Sequence, residues 1–178
     1  MRVLARAAAV LAATATSLLL VTSTAGATTG PEHDPVFAPA AGTASALVTK
    51  LTHSQATTRL RSSGITWSSS GGCSDRTKPN CTSFEQVNLS TIQGAQTLKS
   101  ATGCALNITG GTEVGHASGT YSHYNGYKLD FALSSCLTNY IKGTFTSIGG
   151  NQWRSGSGNV YFHENDHWDV TYFNCGGC

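Results

Sequence analysis

The first half of the chain contains two stretches in which apolar residues recur every three or four positions, as in an amphipathic helix. This pattern predicts one helix over residues 46–60 and a longer one that starts at residues 83–86 and ends at Gly103. Residues 83–86 read Ser-Phe-Glu-Gln and match the capping box, whose first and fourth side chains bond backbone N–H groups at a helix start. Gly103 suits the left-handed position that ends many helices.

Beyond Gly103 the sequence is rich in β-branched residues and alternates between apolar and polar positions, which is typical of strands. Glycine-rich turns separate several of these segments. Helices followed by clustered strands indicate an α+β domain, with two or three helices packed on a small, mostly antiparallel sheet. The predicted strands are residues 65–67, 105–109, 127–133, 142–148, 159–162 and 168–173.

The start of the chain has the layout of a secretory signal peptide over residues 1–27, with two arginines, an apolar run and a closing Ala-Gly-Ala. The run is shorter than the roughly 20 residues of a spanning helix, so we expect cleavage, secretion and no membrane span in the remaining chain. Residues 28–45 hold three of the four prolines and are expected to form a flexible linker. Residues 46–178 then form one domain, expected to be a monomer.

Charge argues against one class of partner. The formal net charge of +2 comes from Arg2 and Arg6, so the chain after residue 27 carries as many acidic as basic side chains. It also lacks a cluster of Lys and Arg interleaved with aromatic residues. We therefore expect no binding to nucleic acid, which selects concentrated positive charge.

All six cysteines lie after residue 27, and an even number in an exported chain favours disulfides over thiols. Proximity along the chain favours a disulfide-stabilised domain with the pairs Cys73–Cys81, Cys104–Cys136 and Cys175–Cys178. The last pair also has the CxxC spacing of a thiolate zinc site. A second CxxC to complete such a site is absent from the sequence, so disulfides are the favoured interpretation.

Two short clusters carry side chains that bind metals. His123 and Asp130 flank Gly126, a residue that lets the backbone turn sharply enough for the histidine to fold back beside the carboxylate. In a strand over residues 127–133, Asp130 and Lys128 share the face opposite Leu129, Phe131 and Leu133, so the apolar face is expected to meet the core. Downstream, His167 stands at the start of the last predicted strand.

Zinc in catalytic sites takes three protein ligands and leaves one position to water, whose pKa falls to about 7. Two histidines and a carboxylate meet this requirement, so we expect one Zn²⁺ per chain, bound by His123, Asp130 and His167. Glu164 precedes His167 by three residues and is the predicted general base. His116 and His163 lie near the clusters and are alternative ligands or donors to the ligands. Taken singly, each histidine can be an exposed loop residue, and Asp130 can bond a backbone amide in a turn. Only the combination of these residues predicts a metal site.

The spacing His123-x-x-Gly126-x-x-x-Asp130, followed by Glu164-x-x-His167, resembles the paired motifs of the M15 zinc peptidases. These are the D-alanyl-D-alanine carboxypeptidases, dipeptidases and L-alanyl-D-glutamate endopeptidases that cut peptidoglycan stem peptides. The resemblance covers roughly residues 46–173. It implies an α+β zinc peptidase, either carboxypeptidase or endopeptidase, with the ligands and base named above and a peptidoglycan peptide as substrate.

Three positions depart from the family pattern. Ser122 adjoins the first histidine instead of preceding it by two residues, and Lys128 stands among larger side chains where the family has a small one. The family's Ser-Gly-Tyr-Arg is replaced by residues 109–113, Thr-Gly-Gly-Thr-Glu, so its arginine is absent. Another group must then stabilise the developing oxyanion. The candidates for this group are Gln86, His116, Lys128 and Arg154.

The departures also leave an alternative function open. The chain is then a non-catalytic, disulfide-rich secreted binding domain on the same fold.

Overall fold

The computed structural model describes residues 48–173 and the backbone of two short strands before them, β1 (Ala27–Thr29) and β2 (Pro35–Phe37). The two strands pair antiparallel, and all their residues except Ala27 lie in the segment for which the sequence predicts a linker. Nearly all of the predicted signal peptide lies outside the described residues, as does the predicted pair Cys175–Cys178.

The first predicted helix is present but starts later than its pattern indicates. Residues Lys50–Leu51 form strand β3, which pairs with β5 (Val87–Asn88), and α1 follows at His53–Ser62. Its N-terminus carries a capping box in which the Thr52 side chain and the Gln55 side chain each bond the other's backbone N–H.

Helix α2 (Leu89–Thr102) ends as predicted, with Gly103 in the left-handed conformation. The capping box predicted at residues 83–86 is wrong, because the helix begins at Leu89 and Asn88 precedes it. The Ser83 side chain accepts a hydrogen bond from the nearby Glu85 backbone instead. The Ser-Phe-Glu-Gln motif therefore forms part of a loop, in which the Ser83 N–H donates to the Glu113 carboxylate.

A third helix, α3 (Ser135–Thr144), occupies sequence that we partly assigned to a strand over residues 142–148. The Ser134 side chain caps its start, and Leu137 and Ile141 bury one face in the core. Strand β8 (Thr146–Gly149) begins only after the helix ends. The prediction failed because the short β-branched run at the junction gave no signal for the helix that precedes it.

Seven strands form the main sheet, in the order β4-β6-β7-β11-β10-β9-β8. The β4–β6 pair is parallel and every other neighbouring pair is antiparallel, which confirms the predicted α+β class. Apart from 142–148, the predicted strands lie within two residues of observed ones, whereas β3, β5 and β9 were not predicted. The remaining strands are β4 (Thr66–Trp67), β6 (Asn107–Gly110), β7 (Lys128–Ala132), β9 (Gln152–Arg154), β10 (Val160–His163) and β11 (His167–Thr171).

The buried faces of all three helices join one face of the sheet in a single hydrophobic cluster, to which Leu129, Phe131, Trp168 and Val170 contribute from the two central strands. Two disulfides, Cys73–Cys81 and Cys104–Cys136, are present as predicted. They are compatible with an exported protein. Within residues 48–173, none of the helices combines the length and apolar character needed to cross a membrane.

Two helical glycines provide a matched test of this packing. A Cβ at Gly94 in α2 would overlap the buried Tyr172 ring, whereas a Cβ at Gly143 in α3 would meet no atom within 4 Å. We expect Gly94→Ala to lower the free energy of unfolding by about 1–3 kcal/mol through overpacking. Gly143→Ala should raise it by about 0.5–1 kcal/mol, because alanine loses less backbone entropy in a helix. Urea denaturation measures both values, and equal shifts in the two variants would contradict the packing described.

Candidate metal centre

The candidate site lies on the face of the sheet that points away from the helices. On β7, Leu129 and Phe131 pack into the core as predicted, so Asp130 between them points to the opposite face. The third residue placed on the apolar face, Leu133, lies beyond the strand and is exposed, which corrects that part of the prediction. On the adjacent strand, His167 begins β11 with the same orientation as Asp169, which stands directly opposite Asp130.

The loop before β7 turns at Gly126 and carries His123 back to the sheet. Gly126 has φ +80, and a Cβ there would lie 2.6 Å from the Gln86 carbonyl oxygen. The turn is closed by hydrogen bonds from the Gly126 N–H to the His123 carbonyl and from the Tyr127 N–H to the Ser122 carbonyl. The sequence therefore needs glycine at this position, as the turn prediction required.

Asp130 stands at the centre of three imidazole rings. Its Oδ1 is 3.1 Å from Nε2 of His123 and 3.6 Å from Nε2 of His167, and its Oδ2 is 3.9 Å from Nδ1 of His116. The side chain is almost completely buried, and the close approach of His123 to Oδ1 lacks the geometry of an aligned hydrogen bond. A buried carboxylate oxygen facing two ring nitrogens without an aligned hydrogen bond is suited to a cation.

The two histidines nearest Oδ1 are held by their opposite ring nitrogens. Nδ1 of His123 donates to the Gly111 carbonyl at 2.7 Å, and Nδ1 of His167 donates to the Asp166 carboxylate at 2.7 Å. Because these acceptors fix the proton on Nδ1, the neutral rings present the lone pair of Nε2 to the centre of the site. Metal-binding histidines are commonly oriented in this way.

Electrostatics keep the central carboxylate ionised. Burial alone would raise the pKa of Asp130, but His123, followed by His167 and His116, holds that pKa well below its usual range. Burial would lower the pKa of His167, yet Asp130, with Asp166 and Glu164, raises it above the usual value. The site thus contains a stable negative charge whose compensation comes from imidazole protons or a bound cation.

Glu164 completes the predicted set. It lies in the turn between β10 and β11, where its N–H donates to the His167 carbonyl, and its Oε2 is 3.4 Å from Nε2 of His167. The side chain retains some exposure, unlike Asp130. His123 and His167 are therefore brought together around one carboxylate oxygen of Asp130, and Glu164 lies beside His167.

His116 occupies the other side of His123. The two rings stack with centroids 3.9 Å apart and planes inclined by 18°. His116 also places Nε2 3.5 Å from Oε1 of Glu113, and a quarter of its side chain is exposed. Ligand atoms of His116, His123 and Asp130 lie within 4.8 Å of one another, so this group could hold a metal ion.

Sequence reasoning missed two carboxylates at this site. Glu113 is buried and accepts hydrogen bonds from the N–H groups of Gly111 and Ser83, which fixes it beside His116. Its Glu-x-x-His spacing to His116 repeats that of Glu164 and His167 and was the available signal. Asp169 follows His167 by two residues, so the two-residue period of a strand places it on the same face.

The remaining candidates make contacts other than those of the central carboxylate. Lys128 is fully buried, and its Nζ is 2.7 Å from Oδ2 of Asp169. Arg154 lies in the same cross-strand row as Lys128 but three strands away, so their backbones are roughly 14 Å apart at the usual strand spacing. The Gln86 amide donates to Glu85, and the His163 ring packs against Trp168, which belongs to the core.

The loop closed by Cys73–Cys81 supports both segments that carry the histidines. Arg76 donates from Nε to the Thr112 carbonyl and from Nη2 to the Tyr124 carbonyl, and its guanidinium stacks on the Tyr124 ring. The Val114 N–H donates to the Arg76 carbonyl in return. One arginine thus connects the segment before His116 to the residue after His123.

Comparison with protein-family models, curated proteins and solved structures finds no match to this chain. The resemblance to zinc peptidases therefore rests on the spaced residues alone.

Arg76 and Lys78 are two basic residues of the same loop, and only Arg76 contacts the segments that carry the histidines. Comparing their alanine variants therefore separates the effect of these contacts from the effect of losing a positive charge. Arg76→Ala removes both carbonyl contacts and should weaken Co²⁺ binding about tenfold, the lower end of what outer partners of metal ligands contribute. Among the described residues, the Lys78 side chain makes an exposed ion pair with Asp75, so Lys78→Ala should leave the affinity unchanged. Calorimetric titration of each variant with Co²⁺ gives both affinities. Equal affinities in the two variants would show that the arginine does not support the site.

Proposed function

We propose that the chain binds one Zn²⁺ through Nε2 of His123, Nε2 of His167 and Oδ1 of Asp130. Two ligand atoms of a tetrahedral zinc ion with bonds of about 2.0–2.1 Å lie roughly 3.3 Å apart. The distances from Oδ1 to the two nitrogens, 3.1 and 3.6 Å, bracket that value. His167 does not belong to the group of ligand atoms that lie within 4.8 Å of one another, so its ring would move toward His123 when the ion binds. The donor set of two imidazoles and one carboxylate is that of an open, catalytic zinc site.

His116 is better suited to a role beside the metal than to a place among its ligands. Two imidazoles bound to one tetrahedral zinc ion hold their ring centroids roughly 5 Å apart, because the bonds diverge from the metal. The rings of His116 and His123 are stacked at 3.9 Å, which is too close for that arrangement. A quarter of the His116 side chain is exposed beside the site, which suits a contact with substrate.

The protein groups around this site suit peptide hydrolysis. A bound zinc ion would supply Lewis acidity, which polarises water and a substrate carbonyl near neutral pH. Glu164, with Oε2 3.4 Å from Nε2 of His167, would take a proton from the attacking water and pass it to the departing amine. Lys128 is buried and Arg154 is distant, so His116 is the candidate that donates a hydrogen bond to the developing oxyanion.

Together these roles describe a secreted zinc metallopeptidase that hydrolyses peptide bonds in peptidoglycan stem peptides, as a carboxypeptidase or an endopeptidase. The observation that carries the chemistry is the buried Oδ1 of Asp130 between two oriented histidines, with Glu164 alongside. Peptidoglycan as substrate rests on the spacing resemblance. Export is supported by the predicted signal peptide and the two disulfides.

A specific observation favours a second candidate function. Thr112 stands where the resembling family carries arginine, and it bonds the Ser83 and Glu85 carbonyls rather than facing a ligand. A chain that kept the fold and the metal while losing this group would be a non-catalytic binding domain. Turnover of a peptide substrate separates the two functions.

The ligand assignment makes opposite predictions for two histidines. His167→Ala removes a ligand, so its zinc affinity should fall at least 100-fold and its zinc content to near zero after dialysis. His116→Ala removes only a neighbouring ring and should reduce affinity about tenfold or less. Zinc per chain, measured by atomic emission after dialysis against a weak chelator, tests both. Loss of zinc in His116→Ala with retention in His167→Ala would reverse the assignment.

Glu164→Gln should keep both zinc and fold but slow hydrolysis about 10²–10⁴-fold, because only the proton acceptor is lost. Glu85→Gln is a matched control, since Glu85 lies outside the site and contacts the start of α1. The assay incubates each zinc-loaded protein with peptidoglycan stem peptides and identifies the products by mass spectrometry. Intact peptides with the wild-type protein would contradict the peptidase and favour the binding domain.

A further inference from the structure

A buried ion pair lies next to the proposed zinc ligands. Lys128 on β7 places Nζ 2.7 Å from Oδ2 of Asp169 on β11, and both side chains are almost completely excluded from solvent. Asp169 is the direct neighbour of Asp130 across the two strands and lies on the same face of the sheet. A lysine and a second carboxylate are therefore part of the wall of the site.

Stability alone does not explain this pair. Removing two charges from water is costly, and replacing a buried ion pair by apolar residues of similar volume is often neutral or stabilising. The ion pair is also not needed to join β7 to β11, because the two strands are already paired over five residues. The position of the pair beside the site suggests a role in the chemistry.

Asp169 approaches the candidate ligands but does not belong to the group whose ligand atoms converge closely enough to hold an ion. Its Oδ2 is 3.9 Å from Nε2 of His123, compared with roughly 3.3 Å between two ligands of one tetrahedral zinc ion. Its Oδ1 is buried and accepts no hydrogen bond from any described residue. The contact with Lys128 is thus the side-chain interaction that holds this carboxylate back.

We propose that Lys128 holds Asp169 off the metal and so keeps the fourth coordination position open to water and substrate. This inference rests on the zinc site proposed above. Two neutral imidazoles and one carboxylate leave a divalent ion with a net positive charge, and a second carboxylate would cancel it. The ion would then be a weaker Lewis acid, with no position open. Lys128 is in this sense a positioning residue that acts through Asp169.

Cobalt provides a direct readout, because the visible spectrum of Co²⁺ changes when a carboxylate replaces water among its ligands. In Lys128→Met the carboxylate is released, so we expect a shifted visible spectrum and about 10- to 100-fold tighter Co²⁺ binding in competition with a chelator. The double variant Lys128→Met/Asp169→Asn has no second carboxylate to bind and should return both values to those of the wild-type protein. Unchanged absorption and affinity in Lys128→Met would overturn the inference.

Asp169→Asn alone tests the same idea if Lys128→Met fails to fold, which circular dichroism and thermal melting reveal. Since Asp169 is not a ligand in the wild-type protein, the visible spectrum of bound Co²⁺ should stay unchanged in this variant, whereas the Lys128 charge left unpaired beside the site should lower the affinity. A changed spectrum would show that Asp169 already binds the metal, and would overturn the inference. A wild-type protein that takes up no cobalt would overturn the zinc site itself, a result distinct from either of these.

Discussion

The fold around the candidate site depends on one buried negative charge, the carboxylate of Asp130. A carboxylate removed from water is strongly unfavourable unless charges or hydrogen bonds compensate it. Here three imidazoles surround it, and the nearest ring nitrogens face its Oδ1 without forming an aligned hydrogen bond. Protonated histidines can supply the missing charge, as the lowered pKa of Asp130 and the raised pKa of His167 indicate. A divalent cation supplies it more completely, and the orientation of His123 and His167 is consistent with that alternative.

The rest of the molecule positions groups around this charge. The antiparallel pairing of β7 with β11 sets Asp130 beside Asp169 and brings His167 to the same face, while the apolar residues between them anchor both strands in the core. The turn at Gly126 returns His123 to the sheet, and the disulfide loop holds the segments around it through Arg76. Rigid strands thus provide two of the proposed ligands, and a loop braced from outside provides the third.

Local sequence patterns predicted the parts of this arrangement that depend on periodicity. Alternation placed Leu129 and Phe131 in the core and Asp130 opposite them, and Gly103 correctly ended α2. Patterns failed where a motif had two structural uses: residues 83–86 match a capping box, yet they form a loop whose Ser83 N–H bonds Glu113. The contacts of His116, Lys128 and Asp169 depend on strand register and loop closure over long separations, which no local pattern encodes.

The central claim is that a single metal ion binds at Oδ1 of Asp130 between two histidines from different parts of the chain. Crystals of the zinc-loaded protein, measured at wavelengths on either side of the zinc absorption edge, test it most directly. The account predicts one anomalous peak per chain, about 2.0–2.1 Å from Nε2 of His123, Nε2 of His167 and Oδ1 of Asp130. The absence of a peak there, or a peak bonded to His116 in place of His167, would contradict the account.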